Sequence, residues 1–243
     1  MDEEPGGRQK DKIRWNASQP PIAALIGDAV AFIIGYAAGA ADEYAPYGWG
    51  LFVVEQDGRL RRVALAAPEK RNLLDAGMCQ DLLRELRDAV ADDTVGAILL
   101  EADGPIFCAG VDPLAGEELF TIGRRMAKPL VAAVKGVAIS GGVALLANAH
   151  VVVAAQGSSF GLTDIRDGKW NEAIYWAVAS AIGERRAREL CLTGRIFSTP
   201  DALAWGLVHM VAPAFELDDR ASEMAGALAN ANPEAVRAAL CRS

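Results

Sequence analysis

The stretch KPLVAAVKGVAISGGVALLANAH (128–150) carries the reading of the fold. After Pro129, LVAAVKG is an unbroken apolar run of the kind that forms a strand covered on both faces. A glycine pair then opens a second apolar run, read as a helix over 143–149. A strand that turns through glycine into a helix presents free backbone N–H groups and the positive end of the helix dipole, which suits an anion. The run contains no acid, lysine or metal ligand before His150. If this turn takes part in chemistry, the reacting side chain stands elsewhere.

The same alternation extends to either side. LFVVEQDGRLRRVALAA (51–67) reads as a hairpin around an Asp-Gly turn. PEKRNLLDAGMCQDLLRELRDAVADD (68–93) reads as a turn followed by an amphipathic helix with Leu82, Leu83, Leu86 and Val90 on one face. VGAILLEA (95–102) is a buried strand, DGPIFCAGVD (103–112) a glycine-rich turn, and FTIGRRMAKP (120–129) a short helix stopped by proline. HVVVAAQGSSFGL (150–162) returns as a strand, and helices follow over 172–193, 199–206 and 215–241. Buried strands alternating with helices imply parallel pairing, and ligands collect at the carboxyl ends of such strands. The fold class is therefore α/β. Glycine turns at 108–112 and 140–142 stand at two of those ends.

Composition narrows the function. A formal net charge of −8 argues against nucleic acid, whose phosphates require a basic face. Cys79, Cys108, Cys191 and Cys241 form no paired or metal-like spacing with the two histidines, which fits a reducing cytoplasm and no metal. The first fifty residues differ from the rest. QPPIAALIGDAVAFIIGYAAGAA (19–41) is about as long as a bilayer is thick, but spanning would bury Asp28 at a cost of roughly 2.5–3.5 kcal/mol. Its bulky residues (Ile22, Leu25, Ile26, Ile33, Tyr36) and small ones (Gly27, Ala31, Gly35, Ala38) separate onto two helix faces. That pattern favours a helix docked on protein over a membrane span or a cleaved signal. The expected organisation is an N-terminal extension with an apolar helix (1–50), a core (51–195) and a short helical C-terminal region (196–243).

Several separated segments carry a resemblance. GPIFCAGVD (104–112), KPLVAAVKGVAISGGVALLANAH, SSFGLTDIR (158–166) and LCLTGRIFSTPDALAWGLVHMVAP (190–213) resemble, in this order, the signature segments of the enoyl-CoA hydratase/isomerase (crotonase) family. VVEQDGRLRRVALAAPEKRNLLD (53–75) resembles that family's first hairpin and the P-x-x-x-N segment after it. The resemblance spans roughly 51–240. It implies a spiral ββα core with a helical C-terminal region, assembly as a homotrimer or homohexamer, and an acyl-CoA thioester as substrate. No cofactor is implied beyond the coenzyme A of that substrate.

Carried over by position, the resemblance places the two oxyanion-hole amides on Ala109 and Gly141. One of the two acids used by hydratases falls on Ala144, which cannot ionise. The other falls on Asp164, one methylene shorter than the usual glutamate. Asp164 is thus the single acid/base candidate for proton transfer through a thioester enolate, which suits isomerisation of an enoyl-CoA better than hydration and leaves both open. Lys70 and Arg71 match a segment near the phosphates and adenine of coenzyme A. Asp112, Asp167, His150 and His209 are read as structural, although Asp167 lies close enough to Asp164 to substitute for it.

Two other classes remain open on sequence. AISGGVALLA (138–147) also resembles the serine turn of Clp-type peptidases. However, His150 would stand about 15 Å from Ser140 along one helix, too far to act as its base. A non-catalytic acyl-CoA-binding protein on the same scaffold is favoured by Ala144, by the short 112–128 loop and by the end of the chain at Ser243.

Overall fold

The structure is a computed structural model, and it describes residues 52–112 and 117–240. The expected N-terminal helix, four residues of the 112–128 loop and the last three residues of the chain, including Cys241, lie outside these.

The hairpin forms as β1 (Phe52–Asp57) and β2 (Leu60–Leu65), paired antiparallel around Gly58. Four further strands join β2 in parallel: β3 (Ala97–Ala102), β5 (Leu130–Val134), β7 (Val151–Ala155) and β10 (Met210–Ala212). The sheet order is β1-β2-β3-β5-β7-β10. A second sheet, β4-β6-β8-β9, is built from three-residue strands: Ile106–Cys108, Val137–Ile139, Ser159–Gly161 and Ile196–Ser198. The chain therefore spirals, laying one strand in the large sheet and the next in the small one before each helical return. At the corner from β5 to β6, Gly136 takes φ 76, and a Cβ there would meet the Pro105 carbonyl oxygen at 1.8 Å. Only glycine fits that corner.

The runs read as continuous strands are covered on both faces. Ile98, Leu100, Ala132, Val134, Val152 and Ala154 face the main core, which includes α1 (Ala76–Ala91). Their alternates Ala97, Leu99, Val131, Ala133, Val153 and Ala155 pack on Leu217, Ala221, Ala225 and Ala229 of α6 (Leu217–Ala229). Helix α1 starts where Asp75 accepts the Met78 N–H at 2.8 Å, and it buries Met78, Leu82, Leu83 and Leu86. Burying one such leucine contributes about 1.5–3 kcal/mol.

The structure differs from the sequence expectation in how it divides the chain. The 103–112 turn contains β4, and the strand read over 150–162 breaks at Gly157 into β7 and β8, one in each sheet. The central helix α2 spans Gly141–Asn148, starting on the glycine pair itself. The helix read over 172–193 breaks at Gly183 (φ 84) into α3 (Glu172–Ile182) and α4 (Glu184–Thr193). The remaining helices are α5 (Thr199–Ala204), α6 and α7 (Pro233–Leu240), the last beginning at a proline. Among the described residues no helix is long and apolar enough to cross a membrane.

Candidate active site

The site is assembled where β4 and β6 of the small sheet end. The segment before α1 is anchored first. Buried Asn72 accepts the Ala67 N–H at 2.9 Å and donates its amide to the carbonyls of Asp103 (2.9 Å) and Ile106 (2.8 Å). Its φ of 50 is one that asparagine tolerates better than most residues. Residues 71–74 then pair in parallel with the turn after β4. Ala109 donates to the Arg71 carbonyl (3.0 Å), Leu74 donates to that of Gly110 (3.0 Å), and Asp112 donates to that of Leu74 (2.8 Å).

This pairing corrects the expected oxyanion donor. The Ala109 N–H is taken by Arg71 and cannot also serve a ligand. In a regular parallel ladder the donors would stand two residues apart, but here Ala109 and Asp112 are three apart, with Gly110 at φ 140 between them. Val111 is left with an N–H that has no hydrogen-bond partner among the described residues. Only a non-local backbone pairing distinguishes Val111 from Ala109, so the sequence does not show which of the two keeps an open N–H.

Gly141 is the first residue of α2, and its N–H is likewise unpartnered among the described residues. It touches Val111: a Cβ on Gly141 would stand 2.7 Å from the Val111 Cβ and 3.1 Å from its Cγ1. Gly142 packs as closely on Cys108, where a Cβ would lie 2.9 Å from the Cys108 carbonyl oxygen. Ser140 enters the helix at φ 46, ψ −101, a sparsely populated conformation that costs of order 1–3 kcal/mol for a non-glycine residue. Two open amides on touching residues, at the positive end of a buried helix, can hold an oxygen that gains negative charge.

The acid is reached through the next strand. Ser140 donates its N–H to the Gly161 carbonyl (2.8 Å), and three residues beyond Gly161 stands Asp164. Asp164 is half-buried and opens the 3-10 segment Asp164–Asp167. Its carboxylate has no hydrogen bond or ion pair among the described residues, Arg166 included. It lines a cleft of about 10 Å³ with Leu162, Lys169, Trp170, Ile174 and Cys191, room for about one water. Burial, helped by the Asp164 charge, pushes the Cys191 thiol up to about 11. Val111, Gly141 and Ala144 do not line this cleft.

The remaining candidates divide cleanly. Ala144, at the position of the second acid, is a fully buried methyl on α2. Lys70 and Arg71 are exposed on the 3-10 turn Pro68–Lys70 and its left-handed exit, and the Arg71 carbonyl ties them to the turn after β4. Cys108 is buried, which pushes its thiol up to about 12. Both histidines are structural. Nδ1 of His150 accepts the Leu130 N–H (2.9 Å) and Nδ1 of His209 accepts the Val152 N–H (3.0 Å), each finishing the start of a strand. Ser140 thus has no histidine base in His150, whose acceptor nitrogen is occupied.

Known proteins resemble this chain in sequence and in fold. Residues 55–241 match the family model described as enoyl-CoA hydratase/isomerase. A putative enoyl-CoA hydratase of Thermus thermophilus is 32% identical over 75% of this chain and 79% of its own length. The mitochondrial enoyl-CoA hydratase domain-containing protein 3 of Rattus norvegicus is 28% identical over 72% of this chain, which spans 64% of that protein. The crystal structure of an enoyl-CoA hydratase from Mycobacterium smegmatis superposes with a TM-score of 0.71 at 32% identity, covering 79% of this chain and 86% of that one.

Proposed function

The chain belongs to the enoyl-CoA hydratase/isomerase family, and from that membership we propose that it moves a proton at the α-carbon of an acyl-CoA thioester. The thioester oxygen sits between the N–H groups of Gly141 and Val111, and Asp164 takes and returns the proton. The observation that carries this reading is the pair of open amides on touching residues at the start of α2. As the α-carbon loses its proton, charge grows on the thioester oxygen. Each preorganised donor then contributes about 2.7–4 kcal/mol to the transition state.

With Ala144 in place of a second acid, one carboxylate serves both proton transfers, so double-bond isomerisation is favoured over hydration. The aspartate falls about 1.5 Å short of a glutamate's reach, and movement of the 162–171 segment would have to make up the difference. Lys70 and Arg71 would meet the phosphates of coenzyme A, and no further cofactor enters the scheme. A cytoplasmic location and a homotrimer or homohexamer complete the reading. The exposed Trp170, Trp176, Leu192 and Ile196 offer apolar surface for such an assembly.

A second reading is an acyl-CoA-binding protein without turnover. It is favoured by one observation, that Ala144, a fully buried methyl, stands at the position of the second acid. Product analysis with a 3-enoyl-CoA in ¹⁸O-labelled water separates the possibilities. Conversion to the 2-enoyl isomer without label supports isomerisation. A labelled 3-hydroxyacyl product from a 2-enoyl-CoA offered in parallel means hydration, and both substrates bound but unchanged mean the second reading.

A further inference from the structure

A cavity of about 300 Å³ lies between the last turns of α1 and the 3-10 segment Ile122–Arg125. α1 leads from here into β3, and the 3-10 segment leads into β5, so the cavity is at the amino ends of the large sheet's strands. The amide pair is at the other end of α1, where Leu74 pairs with Val111. From Ala76 to Val90 the helix rises roughly 20 Å, so the cavity is separate from the site described above.

Its lining is divided by chemistry. Val90, Ile122 and the buried Met126 make an apolar wall. Arg87 and Glu118 pair with each other at the rim. Arg125 is exposed to the cavity and has no carboxylate partner among the described residues, whereas its neighbour Arg124 donates to the Trp176 carbonyl at 3.1 Å. The cavity therefore carries one uncompensated guanidinium above an apolar wall, on a chain whose formal net charge is −8.

We propose that this cavity binds a small amphipathic carboxylate, its anionic head on Arg125 and its apolar chain against Val90, Ile122 and Met126. The guanidinium fork matches a carboxylate in a bidentate pair. A bare phosphate would satisfy the charge but leave the apolar wall wet, and a neutral alcohol would leave the charge unmet. The volume falls at the small end of ligand sites, which suits a short chain and not a nucleotide.

The test is a titration of the full-length protein with octanoate, followed by the methyl resonances of Val90, Ile122 and Met126. Inorganic phosphate and octanol serve as comparison probes. The expected result is saturable shifts at these three residues, unchanged when a saturating acyl-CoA is present, with both comparison probes weaker. Arg125→Gln should weaken octanoate by roughly ten- to a hundredfold, the effect of removing a hydrogen bond to a charged group, while Arg125→Lys keeps most of the affinity. Unchanged melting temperatures for both variants would show that the fold is intact. Shifts centred on Val111 and Leu162, displacement of octanoate by the acyl-CoA, equal affinity in Arg125→Gln, or no saturable shift would each overturn the proposal.

Discussion

Replacing Gly141 by alanine adds one methyl group where the amide pair is tightest. The new Cβ would stand 2.7 Å from the Val111 Cβ, 3.1 Å from its Cγ1 and 3.3 Å from the Gly110 carbonyl carbon. Ordinary carbon–carbon contact is about 3.5–4.0 Å, so the two turns must separate by about 1 Å. The first obstacle is a Cβ fixed to the backbone, so the Val111 amide itself has to move. A displacement of that size in a preorganised site costs about a hundredfold in rate, or about 2.7 kcal/mol. Overpacking should also cost about 1–3 kcal/mol of stability, lowering the melting temperature by roughly 2–12 °C. Turnover of an enoyl-CoA and the melting curve would be measured together. The expected outcome is kcat down about a hundredfold with KM little changed. Adding Val111→Gly to Gly141→Ala removes the obstructing Cβ and should recover at least about tenfold, a coupling that general damage would not produce. A Gly141→Ala enzyme within about threefold of wild type would refute the assignment of these amides.

Three further outcomes follow from the structure. Asn72→Ala should cost about 2–4 kcal/mol, seen as a fall in melting temperature of roughly 4–16 °C, because it removes three hydrogen bonds of a buried side chain and frees the segment that positions the turn after β4. His150 is held below its ordinary pKa by burial, opposed by a backbone hydrogen bond at Gly123, and its Nδ1 accepts a strand N–H. The unfolded chain therefore binds the proton more readily, so stability is full above about pH 6.5 and declines as pH falls toward the folded pKa. His150→Gln should flatten that part of the melting-temperature profile. Ala substitutions at exposed Lys70 and Arg71 should raise KM for acyl-CoA by up to about fivefold each with kcat unchanged, the effect of a solvent-exposed charge contact. The same pair should matter less as salt rises.

The readable parts of the sequence were those whose local pattern matches their burial. β3 and β5 are continuous apolar runs because both faces are covered, and the leucines of α1 show its buried side directly. The Gly141 turn stood out for a related reason, since a glycine pair between a buried strand and a buried helix marks a close approach of backbones. The small sheet was less legible, because a three-residue strand such as β6 or β8 is too short to show a period. Ala109 and Val111 could not be told apart by sequence, as the choice rests on Arg71 capturing one N–H and on the backbone angle of Gly110. Asp164 could be placed at the end of β8, but the cleft its carboxylate lines depends on Trp170, Ile174 and Cys191, contributed by the following segment and helices.

In the proposed function, Gly141, Val111 and Asp164 together form and quench a thioester enolate. The most direct measurement is exchange of the α-proton of a saturated acyl-CoA in heavy water, read by mass spectrometry, for wild type and Asp164→Asn side by side. Binding of the same acyl-CoA is measured in parallel. Wild type should exchange the proton and Asp164→Asn should not, with nearly equal binding by both. Absence of exchange by a wild-type protein that binds the acyl-CoA would contradict the proposed function.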